Sequence, residues 1–101
     1  MALDIHRLDN NEWLWAIENN QYNELSEIFE EFTRRTGLVI EQYGLLVMST
    51  DNQKVIIKIV DKYIEKTDLN KNKKKTFTII QFGSILQYFC NRNIDLKLVG
   101  D

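Results

Sequence analysis

The chain has no proline, one cysteine, one histidine and four glycines among its 101 residues. Without proline, the commonest helix stop, long helices and ladders are favoured over a loop-rich scaffold. Cys90 has no second cysteine to pair with, so nothing requires an oxidising compartment. Its apolar surroundings predict a buried, inert thiol. One imidazole and one thiol do not make a zinc or iron–sulfur site, which needs several ligands at set spacing. His6 stands near the N-terminus, and no stretch has the pattern of a calcium loop. Gly37, Gly44, Gly83 and Gly100 are scattered, which excludes a glycine-rich phosphate loop. Ser26, Ser49 and Ser84 lack a nucleophile-elbow context, and carboxylates are plentiful without one pair standing out for acid–base work. No catalytic residue, cofactor or metal is therefore expected. No run of eighteen apolar residues spans a membrane, and the N-terminus lacks the basic and apolar regions of a secretory signal.

Length predicts one domain over residues 1–101. The net charge is −2, unevenly placed. Residues 1–53 hold ten acids against Arg7, Arg34 and Arg35, while residues 54–101 hold ten bases against five acids. Such an asymmetry either steers a charged partner to one face or lets the two halves attract each other in the fold.

The local patterns predict a mainly helical α+β domain. Asp9 and Glu12 have capping-box spacing, with Leu8 and Trp13 at the staple positions, so a first helix is expected there. Glu18-Asn19-Asn20-Gln21 reads as a break. A second helix over 22–36 follows from Tyr22, Leu25, Phe29 and Phe32, and Gly37 closes it; the two make an N-terminal helical hairpin. Short extended runs follow, the better one at 45–48. Thr50 and Gln53 predict a helix over 51–67 whose polar stripe is Lys54, Lys58, Asp61, Lys62 and Glu65. After a lysine-rich loop, Thr78 and Gln81 have capping-box spacing and Phe77 and Phe82 that of a staple. The helix they open is apolar around most of its girth, which predicts a buried element. Close helix packing accounts for Gly83-Ser84. Asn93 is expected to end that helix in a left-handed cap, and a strand over 95–99 pairs with 45–48 in a small sheet.

Two surfaces are candidates for function. Glu24, Glu27 and Glu31 share a helix face with Glu30 adjacent, an acidic field suited to a basic protein partner, with Tyr43 as an aromatic anchor at its rim. Lys71, Lys73, Lys74 and Lys75 form a basic cluster suited to nucleic acid. An acidic chain with only Phe77 nearby makes nucleic acid the less favoured partner.

Tyr43-Gly44-x-x-Val47-x-Ser49, a helix of mixed charge, a lysine-rich loop, a last apolar helix and the ending Leu96-Lys97-Leu98-Val99-Gly100-Asp101 follow in that order. Residues 37–101 in this respect resemble small bacterial immunity proteins of polymorphic or contact-dependent toxin systems. Leu45 stands where many members carry an acid after the Tyr-Gly pair, and no partner-binding residue carries over. The resemblance implies a stoichiometric cytoplasmic inhibitor of a cognate protein toxin, and not an enzyme. The alternative is a small regulatory or phage-type adaptor that binds nucleic acid through the lysine cluster.

Overall fold

A computed structural model describes residues 2–100. The elements run β1 (Ala2–Arg7), β2 (Trp13–Glu18), α1 (Asn19–Glu24), α2 (Ser26–Thr36), β3 (Leu45–Met48), α3 (Thr50–Lys66), α4 (Lys73–Asn91) and β4 (Leu96–Gly100). The four strands form one antiparallel sheet in the order β2-β1-β4-β3. Leu3, Ile5, Ile17, Met48, Leu96 and Leu98 are buried on its inner face beneath the helices. The fold is α+β, but it does not begin with a helical hairpin.

The N-terminal segment corrects that expectation. Residues 2–18 form a β-hairpin because Leu3 and Ile5 alternate with polar neighbours and face Ile17 and Trp15 across the ladder. Asp9 is a turn residue and caps no helix. Arg7 grips its carboxylate through Nε and Nη2 at 2.9 and 2.7 Å, and Asn11 takes φ 66°. Asn10 Oδ1 accepts from the Glu12 amide at 2.9 Å, a local turn bond that competes with helix formation. Leu8 and Trp13 are both exposed and form no staple. A bulge between Ile5 and His6 leaves Leu14 without a cross-strand partner. Leu14 and Trp15 both pack against the core as a result.

Glu18-Asn19-Asn20-Gln21 is a strand-to-helix junction, where Gln21 Oε1 accepts from the Glu18 amide at 3.0 Å. The expected second helix is two helices divided at Leu25. Gly37 closes α2 at φ 78°, as its position predicts.

The starts of α3 and α4 also differ from the spacing-based reading. Ser49 caps α3, its Oγ accepting from the Asn52 amide at 3.2 Å. Gln53 is fully buried and its Nε2 donates to the Met48 and Ile94 carbonyls, at 3.1 and 2.9 Å. It ties the end of β3 to the approach of β4. The capping box at Thr78 does not form: α4 begins at Lys73, with Asn72 Oδ1 accepting from the Lys75 amide at 3.1 Å. Thr78 is buried mid-helix and donates to Glu24 Oε1 at 2.9 Å. Three-residue spacing also joins neighbours inside a helix, so Thr78 and Gln81 mark no start by themselves.

The end of α4 is as expected in its cap. Asn93 takes φ 58°, its amide donates to Cys90 O, and the Ile94 amide donates to Phe89 O, each at 3.0 Å. This is the Schellman pairing. Gly83 lets α4 lie close on α3, because a Cβ there would sit 2.9 Å from Val60 Cγ1.

Candidate functional site

Three of the four acids on this face, Glu24 of α1 and Glu27 and Glu31 of α2, are engaged by the fold. Glu31 accepts from Arg34 Nη2 at 2.5 Å and from Arg35 Nε at 2.7 Å. These two guanidinium bonds hold its carboxyl at about 2, below the usual 4.5. Glu27 pairs with Lys75 of α4, and Glu24 accepts from Thr78. Among the described residues Glu30 makes no such bond, and it borders a shallow groove of about 340 Å3 with Tyr22, Phe29 and Val39. Tyr43 is exposed on the loop before β3 and does not line that groove. The structure thus supplies an acidic face on which, among the described residues, Glu27 and Glu31 are paired with cations and Glu24 and Glu30 are not.

The Glu31 cluster has a pH consequence. A depressed folded pKa contributes stability above the unfolded value of 4.5, and that contribution is lost as pH falls through about 2. Carboxyl NMR should show Glu31 titrating near 2, moving towards 4.5 in Arg34→Ala/Arg35→Ala. A value near 4.5 in the unaltered protein would contradict the pairing.

The lysine cluster is divided. Lys75 is turned inward against Glu27 and the Tyr63 ring, and the Glu27 bond raises its pKa. Lys73 and Lys74 are exposed on the first turn of α4. Glu27 and Asp68 line the same groove as Lys71 and Lys75, so acids interrupt the path a phosphate chain would follow. Among the described residues no group of His, Cys, Asp and Glu is arranged to hold a metal ion.

The surface that departs from an ordinary fold is on α4. Residues 76–91 carry no charged side chain. The inner side, with Ile79, Phe82, Gly83 and Leu86, is buried. The outer side is not: Phe77 is 68% exposed, Tyr88 51% and Ile80 40%. At 3.6 residues per turn, Phe77, Ile80, Ser84 and Tyr88 follow one another along a single stripe. The expectation of a buried helix holds for its inner side and is corrected for its outer side, where Phe77, Ile80 and Tyr88 face solvent. Beside this stripe lies an apolar groove of about 440 Å3, lined by Leu14 of β2 and by Gln81, Ser84, Ile85, Tyr88 and Phe89 of α4. Arg92 stacks on the Tyr88 ring, its guanidinium carbon 3.6 Å from the centroid, and donates to Tyr88 O at 3.1 Å. That contact holds the phenol at the end of the groove.

The open face of the sheet is less unusual. Its cross-strand neighbours run Trp13, His6, Lys97 and Val47 in one row, and Ala16, Asp4, Val99 and Leu45 in the next. Polar side chains in the middle strands separate Trp13 from the exposed Leu45 and Val47, and Asp4 Oδ1 accepts from the Trp13 indole at 3.1 Å. A one-sided solvated face of this kind is normal for an antiparallel sheet. A surface helix ordinarily has a polar outer side, and that of α4 is interrupted by Phe77, Ile80 and Tyr88.

The expected site residues therefore do not converge, and the stripe that does was assigned to the core. Its signal was faint but present. Lys73, Lys74, Gln81, Ser84, Gln87 and Asn91 recur on the solvent side of one helix, and Phe77, Ile80 and Tyr88 fall among them. No family model, curated protein or solved structure matches this chain.

Proposed function

We propose that this chain is a stoichiometric protein-binding module that docks its partner on the outer stripe of α4 and the adjoining groove. The observation that carries the reading is the exposure of Phe77, Ile80 and Tyr88 on a stretch without charge. Contiguous exposed apolar surface marks interaction sites, and aromatic anchors beside a pocket supply most of the energy of an interface. Glu31, Glu27 and Glu24 are engaged by Arg34 and Arg35, by Lys75 and by Thr78, so we place the contact surface on α4 in preference to Glu24, Glu27, Glu30, Glu31 and Tyr43.

The specific form of this reading is an immunity protein that neutralises a cognate bacterial toxin in the cytoplasm by covering its working surface. It rests on the resemblance of residues 37–101. Among the described residues no helix is long and apolar enough to cross a membrane. A single free cysteine suits a reducing compartment.

The test begins with the neighbouring gene. If it encodes a toxin with a variable C-terminal domain, calorimetry with that purified domain should give a 1:1 complex. Phe77→Ser/Tyr88→Ser should weaken the complex more than tenfold at an unchanged melting temperature. Full-strength binding by that variant would remove the assigned surface, and failure to bind the toxin domain would remove the immunity reading.

A further inference from the structure

The outer stripe of α4 has a basic residue at each end and no acid along it. Lys73 and Lys74 precede Phe77 on the exposed side, and Arg92 follows Tyr88. Of four acids outside α4, two are paired with cations and two accept from neutral groups. Glu27 pairs with Lys75, Glu24 accepts from Thr78, and Asp9 is gripped by Arg7. Asp68 accepts from the Asn70 amide in the loop that precedes α4. The exposed charges at the two ends of α4 itself, Lys73, Lys74 and Arg92, are all positive.

This charge pattern decides among occupants. A second copy docked through the same stripe in a two-fold pair would run its α4 antiparallel or parallel to the first. Lys73 and Lys74 of each copy would then meet Arg92 of the other in the first case and the same lysines in the second, a like-charge contact at both ends either way. From Phe77 to Tyr88 the stripe is about 16 Å long at 1.5 Å per residue, three turns of a facing helix. Leu14 on one side makes it a groove, the geometry that receives the apolar face of an amphipathic helix.

We infer that the α4 surface receives an amphipathic helix of another protein whose apolar stripe is flanked at both ends by acidic residues. This rests on the docking role of α4 proposed above and specifies the chemistry of what docks there. Phe77, Ile80 and Tyr88 contact the apolar stripe of that helix. Lys73 and Lys74 meet one acidic end, and Arg92 meets the other while remaining stacked on Tyr88. The partner's register is set by these end charges, and its affinity by the aromatic anchors.

Two synthetic helical peptides of eighteen residues test this. Both carry the same leucine stripe, one with glutamates at each end and one with lysines, and binding is read by fluorescence anisotropy at low salt. The glutamate-ended peptide should bind at least tenfold more tightly. The preference should vanish or reverse in Lys73→Glu/Lys74→Glu/Arg92→Glu, and both peptides should lose binding to Phe77→Ser/Tyr88→Ser, with each variant's melting curve confirming that it folds. Equal binding of both peptides, lost in Phe77→Ser/Tyr88→Ser, overturns the acidic preference while leaving the docking surface in place. Binding of neither peptide, or binding indifferent to Phe77 and Tyr88, overturns the surface as well. Sedimentation of the free chain as a dimer that Phe77→Ser/Tyr88→Ser dissociates overturns the inference, because a second copy is then the occupant.

Discussion

Phe82→Ala is expected to cost about 3–5 kcal/mol, a fifth or more of the roughly 5–15 kcal/mol available to a domain of this size. Phe82 is fully buried. Its ring meets Phe29 of α2 edge-on at 5.7 Å and Trp15 of β2 at 6.3 Å, so one side chain joins three elements. Truncation removes the transfer energy of the ring and leaves a cavity between helix and sheet that only partial collapse can fill. Urea denaturation followed by tryptophan fluorescence should show a large fall in midpoint. Five positions earlier on the same helix, Phe77→Ala should change stability by no more than about 0.5 kcal/mol, because the removed ring is mostly in water already. Equal losses at both positions would mean that α4 is buried all round.

Gly100→Ala should destabilise by roughly 1–3 kcal/mol or more, the usual range for forcing atoms into filled space. A Cβ at that position would lie 2.1 Å from Gln42 O, 2.6 Å from Gln42 C and 2.7 Å from Tyr43 Cα. These are backbone atoms and cannot rotate aside as a side chain can. Either the 42–44 loop lifts or the end of β4 leaves the sheet, and each route breaks the bond from the Gly100 amide to Gly44 O, at 2.7 Å. For a domain of about this length the loss corresponds to roughly 4–8 °C in Tm per kcal/mol. Amide exchange separates the routes, since faster exchange at Gly100 with an otherwise protected β4 marks release of the loop. An unchanged Tm would contradict the close approach.

That contact also explains the two motifs on which the immunity-protein resemblance chiefly rested. The Tyr43-Gly44 turn and the glycine of the Gly100-Asp101 ending touch each other across the end of the sheet, while Asp101 itself lies outside the described residues. The close approach of the loop over the end of β4 accounts for glycine at position 100.

The second half of the fold was legible because its signals were local and agreed with one another. The polar stripe of α3, the glycine after α2, the Asn93 cap and the pairing of 45–48 with the last strand each have a short-range cause that tertiary contacts reinforce. The first half was not. Asp9 and Glu12 fit a capping box in spacing, but Arg7, two residues away in an extended strand, holds Asp9 instead. The alternation of Leu3 with Ile5 and of Trp15 with Ile17 identified the hairpin, while Leu14 at the bulge blurred it into a helix-like apolar run. The acidic site was legible as a set of neighbours on one helix. Its long-range contacts were not, because Lys75 and Thr78 reach Glu27 and Glu24 from about fifty residues away in the chain. For α4 the composition showed an apolar girth without saying how much of it the small sheet and the other helices would cover.

The central claim is that the outer stripe of α4 is a binding surface and no part of what holds the fold together. It is tested most directly by one titration of the glutamate-ended helical peptide into the unaltered chain and into Phe77→Ser/Ile80→Ser/Tyr88→Ser, each first shown to have the same urea midpoint. The account predicts a saturable 1:1 isotherm for the unaltered chain and, for the variant, at least a hundredfold loss, equivalent to about 2.7 kcal/mol. A variant that binds as the unaltered chain does, or one whose midpoint collapses as that of Phe82→Ala should, would contradict it.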